Sequence, residues 1–142
     1  VEAVLWSDHL KSWVFLPRRI STTAQYDENQ DEHMGGTKLV LVDEKFTKST
    51  VVDSEMEVDG LRGFSTFAFV PNTKDRHALA IRSVEDKCTG DLTICKQRSY
   101  FLVFDVLTGE VLSPEVKYPD NMKFEGLEFA NVYTKRDVSV QV

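Results

Sequence analysis

Three oxygen-bearing side chains recur at nearly even spacing: Glu2, Ser65 and Glu125 stand 63 and 60 residues apart. Two carboxylates and a serine oxygen form a hard oxygen set. Brought to one point with donors from elsewhere, they suit Ca2+, which takes about six to eight oxygens. Arginines follow two of the three at a matching interval. Arg18 comes 16 residues after Glu2, Arg82 comes 17 after Ser65, and Arg19 stands beside the first. A guanidinium fork matches phosphate oxygens bidentately. A cation flanked by such arginines makes a phosphate site. The competing reading is plainer. Charged residues are mostly exposed, so the three can be solvated strand starts, and each Arg a surface residue or a partner for the acidic loop that follows.

The elements that would carry these residues are strands. Glu2 is followed by Val4 and Trp6, Ser65 by Phe67 and Phe69, and Glu125 by Leu127 and Phe129. Apolar residues at alternate positions put one face of a strand against a core. Each set meets a polar turn and then a second strand: Trp13 to Leu16, His77 to Ile81, and Val138 to Val142. Third strands follow at Lys38 to Asp43 and Tyr100 to Asp105, with fourth strands near Ser49 to Val52 and Glu110 to Leu112. Repeated units of four antiparallel strands are β-propeller blades. The expected fold is all-β: about two and a half blades, where about four to eight close a ring. An independent β-sandwich is the alternative. In a blade the first strand lines the central channel and the second returns to the same end. Glu2, Ser65 and Glu125 would then converge, with Arg18, Arg19 and Arg82 beside them.

The loop from Ile20 to Gly36 opens at that end and carries Tyr26, Glu28, Asp31 and Glu32. Loops this long are often functional. Tyr26 can stack on a base or simply pin the loop. The equivalent loop in the next unit holds the two cysteines, Cys88 and Cys95. Their spacing reads as a disulfide closing a short loop in an oxidising compartment, with two free thiols as the alternative. Two thiols do not complete a structural zinc site.

Composition bounds the partners. Among 142 residues, 23 acidic against 17 basic side chains leave a net charge of −6. Nucleic-acid binding leaves a basic footprint, so nucleic acid is not expected. No apolar run reaches the roughly 18 residues of a membrane helix. The chain starts at Val1 without a visible signal peptide; the incomplete ring favours a piece of a longer protein, with assembly with other copies or another chain as the alternative. No phosphate-loop, zinc-protease or serine-elbow pattern is present. His9, His33 and His77 show no ligand spacing and read as structural or solvated.

At these same residues the sequence resembles the calcium-activated nucleotidase, or apyrase, family. The matching stretches are Glu2 with Trp6-Ser7-Asp8, Trp13-Val14-Phe15-Leu16-Pro17-Arg18-Arg19, and Tyr26 with Glu28, Asp31, Glu32 and Gly35. They continue with Gly63-Phe64-Ser65-Thr66-Phe67, Phe69-Val70-Pro71-Asn72-Thr73 and Lys123-Phe124-Glu125-Gly126-Leu127-Glu128-Phe129. The resemblance implies a five-bladed propeller with one Ca2+ in its channel. It also implies hydrolysis of nucleoside diphosphates, and in some members triphosphates, to monophosphate and phosphate. The family's calcium positions fall on Glu2, Ser65 and Glu125, and its functionally sensitive arginine on Arg18. Residues 1–142 would be the C-terminal portion of one propeller domain, partnered by its own N-terminal half and inactive alone. The general base would lie outside this chain. Location in the secretory lumen or outside the cell is implied as well. The rival from another class is a non-catalytic propeller that binds a partner or scavenges nucleotide.

Overall fold

The computed structural model describes residues 3–21, 25, 34–85 and 97–130. Eight strands run in chain order: β1 (Ala3–Ser7), β2 (Ser12–Leu16), β3 (Lys38–Asp43), β4 (Ser49–Asp53), β5 (Gly63–Phe69), β6 (His77–Glu85), β7 (Gln97–Asp105) and β8 (Val111–Lys117). They form two four-stranded sheets, ordered β1-β2-β3-β4 and β5-β6-β7-β8. Every pairing is antiparallel. No helix occurs among the described residues. The two sheets are the two full units expected from the repeat.

The third unit differs. Residues 121–130 contain no strand, although Glu125 to Phe129 has strand periodicity. A strand needs a neighbour to satisfy its backbone N–H and C=O groups, and no described segment pairs with this one. The expected partner, Val138 to Val142, lies outside the described residues.

Alternation builds the core. Val14 and Leu16 of β2 and Leu39 of β3 are fully buried, and Ala3 of β1 nearly so. They meet Phe67, Ala78, Ala80, Leu102 and Phe104 of the second sheet in one cluster. Two alanines on alternate positions of β6 leave room for the larger side chains opposite, as close-packed sheets require. The inner strands β1 and β5 adjoin.

The ends of the strands are fixed by side-chain caps. Asp43 accepts the N–H groups of Thr47 and Lys48, at 2.8 and 2.6 Å, closing the β3–β4 turn. Asp105 does the same for Leu107 and Thr108 after β7, both at 2.9 Å. A bond between turns ties the sheets together: Ser7, with no exposed surface, donates to the Asp75 carboxylate at 2.8 Å.

Candidate functional site

The site begins with a row of small residues. Gly63, Ser83 and Ser99 are successive register partners across β5, β6 and β7. Direct partners in an antiparallel sheet present their side chains to one face. The residue that follows Phe64, Ser65, sits in a β-bulge: Phe64 pairs with Arg82, and the next partnered residue is Thr66 with Ile81. A bulge re-aims the side chain it carries. Here the Ser65 hydroxyl comes within 2.5 Å of the Ser83 hydroxyl.

Arg18 reaches this row from the other sheet. β2 ends at Leu16, and Pro17 removes a backbone donor and halts the ladder. The Arg18 chain then lies against the bare backbone of Gly63. A Cβ added to Gly63 would stand 2.6 Å from Arg18 Cγ and 2.3 Å from Arg19 Nη1. Arg18 Nη1 donates to the Ser83 hydroxyl at 2.9 Å and the Ser65 hydroxyl at 3.2 Å. The carbonyls of Gly63 and Phe64 accept from the same nitrogen at 3.3 and 3.4 Å.

Glu125 stands within reach of the same charge. Its pKa is lowered below the ordinary carboxylate value, first by a hydrogen bond from Lys123, then by the Lys123 charge, with a further contribution from Arg18. Lys123 Nζ lies 2.9 Å from Glu125 Oε1, and the Glu125 side chain is 74% exposed. Arg18 and Ser65 are in direct contact, and the segment that carries Glu125 is held by Ser99, the cross-strand partner of Ser83. Glu2 and Tyr26 lie outside the described residues, as do Cys88 and Cys95 with the disulfide expected between them.

Arg19 and Arg82 go elsewhere. Arg19 donates to the Arg18 carbonyl and the Leu61 carbonyl, both at 3.3 Å. Its backbone bridges to Gly35, where the Ile20–Gly36 loop returns. Gly35 is pressed so close to the Asp59–Arg62 segment that a Cβ would lie 2.0 Å from the Arg62 carbonyl oxygen. Arg82 has no exposed surface and is not at the rim with Arg18. It shares the inward face of β6 with Ala78 and Ala80, because alternate residues of a strand point the same way. There it pairs with Glu115 Oε2 at 3.0 Å and donates to the Glu57 carbonyl at 3.0 Å. Glu115 also binds Arg62, whose guanidinium lies 4.0 Å over the Tyr100 ring.

Register explains the difference. If Ala3 corresponds to Thr66, then their partners Leu16 and Ile81 correspond. Counting on, Pro17 matches Arg82, and Arg18 matches Ser83. Counting forward from Ser65 places the equivalence one residue early.

Ser83, Ser99 and Lys123 adjoin these residues and carry no motif that singles them out in sequence. A faint signal existed for the serines. Each is a small polar residue in a strand otherwise rich in apolar ones.

As a donor set, Ser65 and Glu125 offer hard oxygens, which fits Ca2+ rather than a soft metal. Among the described residues, no group of three or more His, Cys, Asp and Glu side chains is arranged to hold a metal. No described helix is long and apolar enough to cross a membrane.

The family model described as Apyrase matches residues 1–130. The apyrase of Cimex lectularius is 37% identical over 128 residues, which cover 90% of this chain and 32% of that protein. Apyrase apy-1 of Caenorhabditis elegans is 40% identical over 129 residues, 91% of this chain and 34% of that protein. Soluble calcium-activated nucleotidase 1 of Rattus norvegicus is 37% identical over 131 residues, 90% of this chain and 29% of that protein. The chain spans about a third of the length of the curated relatives it matches. With all eight described strands inside the matched range, the chain belongs to the apyrase family.

Proposed function

We propose that the full-length protein is a calcium-dependent nucleotidase that hydrolyses nucleoside diphosphates, with triphosphates as candidate further substrates, to monophosphate and phosphate. The observation that carries this reading is the meeting of Arg18 with Ser65 beside Glu125. An arginine fork next to oxygen donors suits a phosphate chain held beside a hard cation. The relatives named apyrase and calcium-activated nucleotidase support the same chemistry.

In this reading, residues 1–142 are the C-terminal portion of a five-bladed propeller whose N-terminal half completes the channel. Glu2, Ser65 and Glu125 hold Ca2+. Ser65 serves through its backbone carbonyl, since its hydroxyl is engaged by Arg18 and Ser83. The bound ion would neutralise phosphate charge and favour attack by water. Arg18 binds phosphate oxygens. Arg19 has a supporting part through the Arg18 carbonyl, and Tyr26 is assigned to the base. Arg82 has a structural part, in the ion cluster with Glu115. No nucleophilic side chain is needed, because phosphoryl transfer asks chiefly for positioning and electrostatics. The protein acts in the secretory pathway or outside the cell, where a Cys88–Cys95 disulfide would persist.

The experiment is phosphate release by the full-length protein from ADP and UDP in Ca2+, in Mg2+ and with chelator. Release in Ca2+ that chelator abolishes is expected. Equal turnover in Mg2+ alone contradicts the ion assignment. Nucleotide binding without release would favour a scavenging propeller. Residues 1–142 alone are expected to release no phosphate.

A further inference from the structure

Two buried serines stand side by side, and each holds one arm of the site. Ser83 on β6 and Ser99 on β7 are direct cross-strand partners, and neither has exposed surface. The Ser83 hydroxyl binds Arg18 and Ser65, as described above. The Ser99 hydroxyl binds on the other side. It donates to the Met122 carbonyl at 2.8 Å and accepts the Phe124 N–H at 3.1 Å. Its clamp therefore straddles Lys123, the residue that pairs with Glu125. The Ser99 carbonyl accepts the Tyr118 N–H at 2.8 Å. Phe124 is seated between Phe101 and Tyr118, with ring centroids at 5.9 and 4.8 Å.

A fully buried hydroxyl is costly unless it is bonded. Packing alone would be served by alanine at either place. Both hydroxyls bond to segments outside their own β6–β7 ladder, and those segments carry Arg18 and Glu125. Among the described residues, 121–130 have no strand partner to fix them. Ser99 and the ring cluster therefore set where Glu125 stands.

We propose that Ser83 and Ser99 are positioning residues of the nucleotidase site: Ser83 orients Arg18 toward phosphate, and Ser99 sets the place of Glu125 and so the affinity for Ca2+. This rests on the function proposed above and divides that function between two neighbouring hydroxyls. The division makes it testable, because the two substitutions should move different parameters.

The test uses the full-length protein with Ser83→Ala, Ser99→Ala and, as volume-preserving variants, Ser83→Cys and Ser99→Cys. For each, KM and kcat for ADP are measured at saturating Ca2+, half-saturating Ca2+ is measured at saturating ADP, and thermal melting is followed in chelator. The Ser83 variants are expected to raise KM about 3- to 10-fold, with half-saturating Ca2+ within about twofold of wild type. The Ser99 variants are expected to raise half-saturating Ca2+ about 3- to 10-fold, with KM within about twofold. Parallel shifts of both parameters that track the melting temperature would make the serines structural only and overturn the proposal. So would kinetics like wild type in all four variants. Failure of the wild-type protein to release phosphate in Ca2+ is a separate result: it removes the functional reading, whereas normal wild-type release with undivided variant effects removes this inference alone.

Discussion

Arg18 Nη1 and the Ser83 hydroxyl lie 2.9 Å apart, and Arg18 stands two residues past Leu16, the partner of Ala3, as Ser83 stands two past Ile81, the partner of Thr66. A repeat that places an arginine in one unit and a serine in the next lets the longer side chain reach across and bind the shorter. The site is thereby built from two sheets at once. Its geometry depends on the packing between sheets and not on either sheet alone.

Arg18→Lys tests the fork. Lysine keeps the charge but offers a point donor where the guanidinium serves four acceptors through Nη1. In the full-length protein, kcat/KM for ADP is expected to fall about 10- to 100-fold, the scale of losing a hydrogen bond to a charged group. Ca2+ affinity should change by less than about threefold on that scale. Steady-state kinetics with a parallel Ca2+ titration checks both. An unchanged kcat/KM would remove Arg18 from phosphate binding.

Gly63→Ala tests the contact beneath that fork. The added methyl would sit 2.6 Å from Arg18 Cγ and 2.8 Å from the Arg18 carbonyl oxygen, closer than real Cβ contacts. Arg18 must shift. Overpacking of this kind costs about 1–3 kcal/mol, and the displaced guanidinium should lower kcat/KM beyond what stability explains. Urea unfolding and kinetics on the same sample separate the two effects. Full activity would show that Arg18 works from another position.

Much of this arrangement is legible in the sequence. The strand starts and turns follow from period-two alternation, and five of the eight strands lie within two residues of the segments read from sequence; β6 continues past the expected end at Ile81 through Arg82 and Ser83 to Glu85, and β7 starts at Gln97 rather than Tyr100. The last strand, β8, runs further than Glu110 to Leu112, to Lys117, because Val116 and Lys117 continue its pairing with β7. Arg82 was misplaced by counting. The turn between β5 and β6 is two residues longer than that between β1 and β2, with eight residues between Phe69 and its partner Ala78 against six between Trp6 and Trp13, and turn length is not fixed by strand periodicity. The strand expected at Glu125 was also misread, since alternation reports a face but not the neighbour that must pair with it. Ser99 escaped notice because its role comes from a distant segment folding back upon it.

Glu115→Gln tests the cluster that took Arg82 out of the site. Glu115 is 11% exposed and faces two guanidinium groups, one of them, Arg82, wholly buried. Removing its charge leaves two cations without their shared partner. Loss of about 3 kcal/mol is expected, on the scale of breaking one side of a buried pair. Denaturant unfolding measures it. Near-normal kinetics of the protein that remains folded should accompany the loss. A stability change under about 0.5 kcal/mol, typical of surface pairs, would contradict the description of this cluster as a buried anchor.

The most direct test of the central claim, that Glu125 joins Ser65 and Arg18 in one cation and phosphate site, is a calorimetric titration of Ca2+ into the full-length protein and its Glu125→Gln variant. One site is expected in the wild type and at least about a tenfold loss of affinity in the variant, since one charged oxygen ligand is neutralised. The melting curve in chelator should be unchanged, since the Glu125 side chain is 74% exposed. Equal affinity in the two proteins would contradict the claim.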